Sequence, residues 1–270
     1  MTYLQKLATL PLPVQDAIHD HRAISYTEIG ELERCALQWH FKRVLHLPSK
    51  PSEAMDNGNL FDSLVEGGLE VMDGRHTVTS DDLTIRNRYC EYRDLIFGTD
   101  HKQFPVWVDL GDGRFFYGFV DVFREVPELV VIDQKFSAEP WQADSCKEVR
   151  RVSEFETSKG VTKQELDTMF ICTGGKSAMY HAQAQHYMWA LNRMGYPVKE
   201  FWFDVSNLAS PGIQRFIYHP TAKALDKVGE GVVQCLSKRN EIPIPTGGHH
   251  CNWCDYYLEC DKVMMKEGTI

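Results

Sequence analysis

The sequence lacks the long apolar run of a membrane protein and the excess of basic residues of a protein that coats nucleic acid. No uninterrupted apolar stretch reaches about 18 residues, so we expect no membrane-spanning helix. The first 12 residues have no basic start followed by an apolar core, so they predict no signal peptide and favour the cytoplasm. The formal charge of -9 argues against a generic nucleic-acid coat, without excluding a local basic groove.

Internal repeats, low-complexity tracts and unusual composition are also missing. The 270 residues are 43% hydrophobic and 25% charged, close to the average of folded proteins, which argues against collagen, coiled coil and disorder. The length suits one large domain or two small ones and allows a sizeable core. We predict an N-terminal lead-in over residues 1–23 and a single domain over residues 24–270.

Helical spacing of apolar residues predicts helices at both ends of the chain. The first begins at Ser25, which caps it while Glu28 closes a capping box, and it continues to Pro48. The other predicted helices cover residues 59–71, 81–97, 177–193 and 221–239.

The middle of the chain is typical of strands and turns. Turns are predicted at Gly111-Asp112-Gly113 and at Val126-Pro127. Residues 129–132 are apolar on both faces, as in a central strand covered by helices, and residues 137–177 are interpreted as a long insertion or lid. The predicted strands cover residues 104–110, 114–125, 129–136, 199–205 and 213–218. This order of elements predicts a mixed sheet with helices on its faces.

Two carboxylates and one lysine are predicted to meet at an edge of the sheet. Asp133 ends a buried strand, where an ionised carboxylate is costly unless it binds something, and Lys135 emerges on the same face. A hairpin at Val126-Pro127 brings Asp121 beside Asp133. Such oxygen ligands suit Mg²⁺ or Mn²⁺, which polarises a phosphodiester, and a lysine stabilises the developing charge. A structural salt bridge between Asp133 and Lys135 explains these residues equally well.

Two further sets of residues are weaker candidates. Asp62, one turn before Glu66, is either a third metal ligand or a solvated acid at a helix N-terminus. Tyr180, Gln183 and Tyr187 share one helix stripe, and such a stripe is more often a packing face than a substrate contact.

The eight cysteines, without a secretion signal, indicate thiols or metal ligands instead of disulfides. Cys251, Cys254 and Cys260 crowd into ten residues, so a short tail wraps a metal with three thiolates. Cys35 supplies a fourth thiolate only if the chain ends meet. Zn²⁺ bound by the three clustered cysteines with His249 or His250 is the alternative. The remaining cysteines, interpreted as buried small hydrophobes, are Cys90, Cys146, Cys172 and Cys235.

Taken in order, these elements resemble the RecB-like branch of the PD-(D/E)xK nuclease superfamily. The resemblance is narrower to its iron–sulfur members: the AddB nuclease domain and the CRISPR-associated and phage-encoded RecB-like exonucleases. It runs from Ile24 to Cys260. The matching elements are Ser25-Tyr26-Thr27 with Cys35, Gly58 to Asp62, Asp121, Asp133-Gln134-Lys135, Tyr180 with Gln183 and Tyr187, and Cys251 with Cys254 and Cys260.

The resemblance implies an α/β, restriction-endonuclease-like fold, with a central mixed sheet flanked by helices and chain ends joined by a metal cluster. It implies a metal-dependent DNA exonuclease acting on single-stranded ends, with Asp121, Asp133 and Lys135 as catalytic residues. Mg²⁺ or Mn²⁺ would bind through Asp62, Asp121 and Asp133. Relatives usually carry histidine at the position of Asp62, which leaves the metal preference open.

The same resemblance implies a cofactor and partners. A 4Fe–4S cluster would join the chain ends, and Gln183 and Tyr187 would face DNA. Partner proteins would belong to recombination, CRISPR adaptation or phage DNA metabolism, and the oligomeric state is open. The alternative function is a non-catalytic DNA-binding or assembly subunit that keeps the fold and the cysteine-bound metal. The implied cluster ligands are Cys35, Cys251, Cys254 and Cys260.

Overall fold

The structure is a computed structural model that describes most of the chain. The described residues are 3–49, 53–73, 78–93, 95, 100–125, 129–141, 146–156, 162–172, 180–239, 241, 243, 245–246, 248, 251–252 and 254–260. Side chains are described at all of these except 53, 54, 73, 146–156 and 162–172. The predicted turn at Val126-Pro127 and the candidate ligands His249 and His250 lie outside the described residues.

Helices occupy mainly the two ends of the chain and strands its middle. The helices are α1 Tyr3–Leu7, α2 Leu12–His19, α3 Tyr26–Arg34, α4 Ala36–Arg43, α5 Glu53–Gly67, α6 Glu70–Asp73, α7 Ser80–Arg93, α8 His181–Arg193 and α9 Ala222–Lys238. The strands are β1 Ala23–Ser25, β2 His101–Gly111, β3 Arg114–Arg124, β4 Val130–Ser137, β5 Cys146–Glu156, β6 Thr162–Cys172, β7 Glu200–Asn207 and β8 Gln214–Tyr218.

The strands form one mixed, eight-stranded sheet in the order β1-β3-β4-β7-β8-β6-β5, with β2 paired to β3. Neighbours β1 and β3, β4 and β7, and β6 and β8 are parallel. The other neighbouring pairs are antiparallel. The mixed sheet with flanking helices that the element order predicts is therefore confirmed.

Helices cover the two faces of the central strands. Val131 and Phe203 lie in one large core cluster with residues of α3, α8 and α9. Ile132 and Trp202 face the opposite way, because successive side chains of a strand point to opposite faces. Further along β4, Phe136 packs with the cluster of α5 and α7. Burial on both faces is what the continuous apolar run of this strand predicts.

The N-terminal 23 residues are not a loose lead-in, which corrects the prediction. In α2, Val14 and Ala17 are buried and pack with Ala23 of β1. Helix α1 is tied to α5 by the ion pair of Lys6 and Glu66, whose Nζ and Oε1 atoms are 2.6 Å apart. The segment is too short for a clear helical period, so sequence spacing alone missed these two helices.

The first predicted helix starts correctly and ends too late. The Glu28 N–H donates to Ser25 Oγ over 3.3 Å and the Ser25 N–H donates to Glu28 Oε2 over 3.1 Å, which confirms the capping box. Cys35 then adopts an extended conformation with φ of -164° and ψ of 111° and separates α3 from α4. The single helix predicted as far as Pro48 is therefore two helices.

Two other predicted elements differ from the structure. Helix α5 begins at Glu53, so Gly58 lies inside it and does not open it. The segment predicted as an insertion or lid contains β5 and β6, which pair antiparallel and join the sheet through β8. Mixed charge concealed these strands, because alternation of apolar and polar residues is the usual signal.

In the described residues, no helix has the length and apolar character needed to cross a membrane.

Candidate active site

One edge of strand β3 pairs with two different strands, and a short unpaired gap separates the two pairings. Strand β2 pairs with β3 from Arg114 to Phe123, so β1 and β4 must share the other edge. There β1 pairs with residues 115–117 and β4 with residues 122–124. Residues 118–121 lie between these two ladders. Tyr187 of α8 packs so closely here that a Cβ added to Gly118 would lie 2.6 Å from its Cε1 atom.

Asp121 lies at the end of this gap, where β3 and β4 separate. The register of the pair Val122–Ile132 places it opposite Asp133, one step beyond the last paired residues. Its Oδ2 accepts a hydrogen bond from the Gln134 N–H at 3.0 Å, and its Oδ1 accepts one from Gln103 Nε2 at 3.3 Å. The carboxylate therefore takes the place of a backbone acceptor and is fixed from both neighbouring strands.

Asp133 and Lys135 lie together on the face of the sheet that α8 covers. Asp133 does not end its strand as predicted, because β4 continues to Ser137 in its pairing with β7. Asp133 is only 4% exposed, and its Oδ1 accepts a hydrogen bond from Gln183 Nε2 at 2.7 Å. Its buried Oδ2 meets the Lys135 ammonium as an ion pair and has no other partner in the described part of the chain. The ammonium lies 5.1 Å from the ring centroid of Tyr180. Strand β4 thus presents its acid and its lysine to one helix.

Three carboxylates share the field of this one ammonium. Desolvation, and then the Asp121 carboxylate, raise the pKa of Asp62 from its ordinary 3.8 to about 7, although the residue stays accessible to solvent on α5. Burial likewise raises the pKa of Asp133 against the opposing effect of Lys135. Burial lowers the pKa of Lys135, but Asp133 and Asp121 outweigh it and hold the ammonium charged. The cluster is short of positive charge.

The chemistry of this donor set fits a hard divalent cation. Hard oxygen donors from clustered carboxylates are the ligands that Mg²⁺ and Mn²⁺ prefer, and the Asp133 Oδ2 that pairs with Lys135 accepts no hydrogen bond from any other described residue. Among the described residues, however, no three His, Cys, Asp or Glu side chains already stand in a coordinating arrangement. Asp62 lies in the middle of α5, so its interpretation as a helix N-terminal acid is wrong.

The cysteines from the two ends of the chain lie in one cluster. Cys35 is buried with Phe41 and Tyr256, and Cys254 and Cys260 pack against the same side chains. The Cys254 N–H donates to the carbonyl of Cys251 over 3.2 Å. Burial raises the pKa of the Cys254 thiol, with Cys35 and Cys251 adding to the effect. The chain ends therefore meet, which is the condition for a four-cysteine site.

Two solved structures are similar to this chain over most of its length. A "Putative exonuclease" from Eubacterium rectale superposes with a TM-score of 0.56 and 14% identity, over 88% of this chain and 89% of that chain. The two chains share a fold. The protein SSO0001 gives a TM-score of 0.44 at 11% identity, over 92% of this chain and 94% of that chain. No family model and no curated protein matches the sequence.

The structure brings the predicted catalytic residues together and gives the two helix residues contacts within the protein. Gln183 binds Asp133, and Tyr187 is 8% exposed and packs beside Gly118. That these two residues also face DNA stays a prediction.

Sequence reasoning assigned no role in the site to two residues that lie near it. One is Gln103, which contacts Asp121 and carries no sequence signal. The other is Tyr26, which lies close enough to interact electrostatically with Lys135 and Asp133. The centroid of its ring lies 6.3 Å from that of Tyr187. The position of Tyr26 directly after the N-cap of α3, at the end of β1, was the available clue.

Proposed function

We propose that this protein is a metal-dependent DNA nuclease with its centre at Asp121, Asp133 and Lys135. The observation that carries the proposal is the contact of buried Asp133 with Lys135 within the central strand β4, directly beside Asp121. A fold shared with a protein described as a nuclease adds support. Following the sequence resemblance, we further propose exonuclease action on single-stranded DNA ends, in the cytoplasm, with partners in recombination, CRISPR adaptation or phage DNA metabolism.

Asp62, Asp121 and Asp133 are the residues that would hold Mg²⁺ or Mn²⁺. When bound, such an ion polarises a phosphodiester and lowers the pKa of a water molecule. The residues of the chain supply the remaining functions. Lys135, held protonated by its acidic neighbours, stabilises negative charge on the phosphate during attack. Gln183 holds Asp133 in place through its side-chain amide.

The charge balance of the site is the physical reason to expect a cation. Three carboxylates face one ammonium, and desolvation, followed by the charge of Asp121, raises the pKa of Asp62 to about 7. Like charges held together in a poorly solvated site favour protonation unless a cation compensates them. A divalent ion would supply the missing charge and allow all three acids to ionise at neutral pH.

We also propose that Cys35, Cys251, Cys254 and Cys260 hold a 4Fe–4S cluster. Cys35, Cys254 and Cys260 lie in one cluster, and Cys251 is joined to Cys254 by a backbone hydrogen bond, which supports a metal that ties the two ends of the chain together. Zn²⁺ held by the three late cysteines with His249 or His250 is the competing proposal.

A second function, a DNA-binding or assembly subunit without activity, is favoured by one observation. Lys135 pairs with Asp133, and within the described residues no trio of acidic side chains is arranged to coordinate metal. In that interpretation the ion pair is purely structural, and the cation would have no role.

Incubation with end-labelled single- and double-stranded DNA separates the two functions. We expect the wild type to shorten DNA with Mg²⁺ or Mn²⁺ and to be inactive in EDTA. Asp133→Asn should lose this activity. The control variant Asp112→Asn, in the exposed turn after β2, should retain it, because asparagine tolerates the φ of 54° at that position. Binding of DNA without shortening would favour the scaffold.

A further inference from the structure

Gln103 adopts a backbone conformation that residues other than glycine and asparagine seldom take. Its φ is 51°, although it lies inside strand β2. Its neighbours pair normally with β3, Lys102 with Val122 and Phe104 with Val120. The pairing of β2 with β3 skips Gln103 and the residue opposite it, Asp121. The irregularity is therefore confined to the two residues that face each other across the strands.

Both strands turn over at this point. Val120 and Phe123 belong to the same core cluster, although an odd separation puts side chains of a regular strand on opposite faces. On β2, the rings of His101 and Phe104 lie 5.9 Å apart, again at an odd separation. The local reversal places Asp121 on the same side of the sheet as Phe123, which is the side of Asp133.

The side chain of Gln103 completes this arrangement. Its Nε2 donates to Asp121 Oδ1 over 3.3 Å, while the Gln134 N–H donates to Oδ2 over 3.0 Å. We infer that Gln103 is a positioning residue for Asp121. Its left-handed backbone reverses β2 where β3 also reverses, so that Asp121 is turned toward Asp133, and its side-chain amide fixes the carboxylate there. The consequence for metal binding and rate rests on the proposed function. The contact itself does not.

Backbone strain of this kind persists where the surrounding structure imposes it, often at functional sites. A purely structural residue and a positioning residue then respond differently to Gln103→Gly. Glycine accepts a positive φ without strain, so the backbone is relieved while the amide is lost. We expect the midpoint of thermal unfolding to stay equal or rise, while Asp121 becomes less restrained. A structural role would make stability and order at Asp121 fall together.

The test compares Gln103→Gly with wild type by residue-resolved hydrogen exchange, thermal unfolding and calorimetric titration with Mn²⁺. Exchange of the Gln134 amide should accelerate about tenfold, because its acceptor moves. The paired amides of Val122 and Ile132 should be unchanged. Affinity for Mn²⁺ should fall about tenfold, the equivalent of one lost hydrogen bond to a charged group.

Gln185→Ala is the matched control. It also removes a half-buried amide donor, because Gln185 Nε2 donates to Tyr218 Oη over 2.7 Å. Neither residue contacts Asp121 in the described hydrogen bonds, so this variant should leave Gln134 exchange unchanged. Unchanged Gln134 exchange in Gln103→Gly, or a general rise across β3 and β4 with a lower unfolding midpoint, would overturn the inference. A wild type without nuclease activity would refute the proposed function and leave the exchange result to decide the role of Gln103.

Discussion

Gln183 on α8 donates a 2.7 Å hydrogen bond to Asp133 on β4, so a helix side chain holds the carboxylate at the centre of the site. Asp133 is 4% exposed, and a buried carboxylate is costly to leave unsatisfied. Gln183 and Lys135 satisfy one oxygen each. The helix stripe that sequence reasoning assigned to packing or to DNA thus has a third role, which is to orient an acid.

Gln183→Ala should lower kcat about tenfold and leave KM nearly unchanged, because it disturbs an acid of the centre and not a DNA contact. Steady-state kinetics on labelled single-stranded DNA measures both constants. Gln185→Ala, two residues further along the same helix, should match the wild type. A rise in KM with kcat unchanged would instead support the predicted contact with DNA.

Asp62→Asn should change how stability depends on pH. The pKa of Asp62 is raised from 3.8 to about 7, so between these values the folded state binds more protons than the unfolded state. The wild type therefore loses stability as pH rises through this window, and the variant does not carry that loss. In urea unfolding with EDTA from pH 4 to pH 8, the free energy of unfolding of the variant should rise relative to that of the wild type. Saturating Mn²⁺ should reverse this difference. A difference that is constant with pH would contradict this.

Gly118→Ala should destabilise the protein by about 1–3 kcal/mol, because the new methyl group overlaps the buried ring of Tyr187. The added Cβ would lie 2.6 Å from Cε1 of that ring. Gly30→Ala is the control, since nothing lies within 4 Å of its added Cβ inside α3. That change should stabilise by about 1 kcal/mol through helix propensity. Chemical denaturation measures both, and a neutral Gly118→Ala would mean that Tyr187 does not pack here.

Cys35→Ser should remove the metal proposed for the cysteine cluster and lower stability. The metal would close a long loop between the chain ends, so its loss removes folding free energy. Anaerobically purified wild type should be brown and bleach with dithionite. Cys235→Ser changes a buried cysteine on α9 outside the cluster and should keep the colour. Colourless protein with stoichiometric zinc would replace iron–sulfur with zinc, and wild type without either metal would contradict the proposal.

Local signals account for what the sequence predicted well. The Ser25–Glu28 capping box, the Gly111-Asp112-Gly113 turn and the apolar run before Asp133 each depend on a few neighbouring residues. From them followed the first helix start, the hairpin of β2 and β3, and a central strand that carries an acid, although β4 continues past Asp133 to Ser137. Strand alternation and the expected hairpin then placed Asp121 opposite Asp133, and the register confirms that placement.

Features that depend on distant partners were not predictable in the same way. The strand pair β5 and β6 joins the sheet through β8, and α2 is stabilised by packing on residues of β1 and β3. Gln103 has a role only because β2 and β3 lie side by side and its φ is positive. Propensity and spacing contain no information on either, since tertiary contacts decide them.

The most direct test of a nuclease centre is the single-turnover cleavage rate of Lys135→Ala on labelled DNA with Mn²⁺. Lys199→Ala is the control, because Lys199 is exposed and lies just before the first residue of β7, outside the candidate site. Circular dichroism and thermal unfolding of both variants establish that they are folded. We expect Lys135→Ala to be slower by about 100-fold or more and Lys199→Ala to match the wild type. Cleavage by folded Lys135→Ala at the wild-type rate would contradict the account.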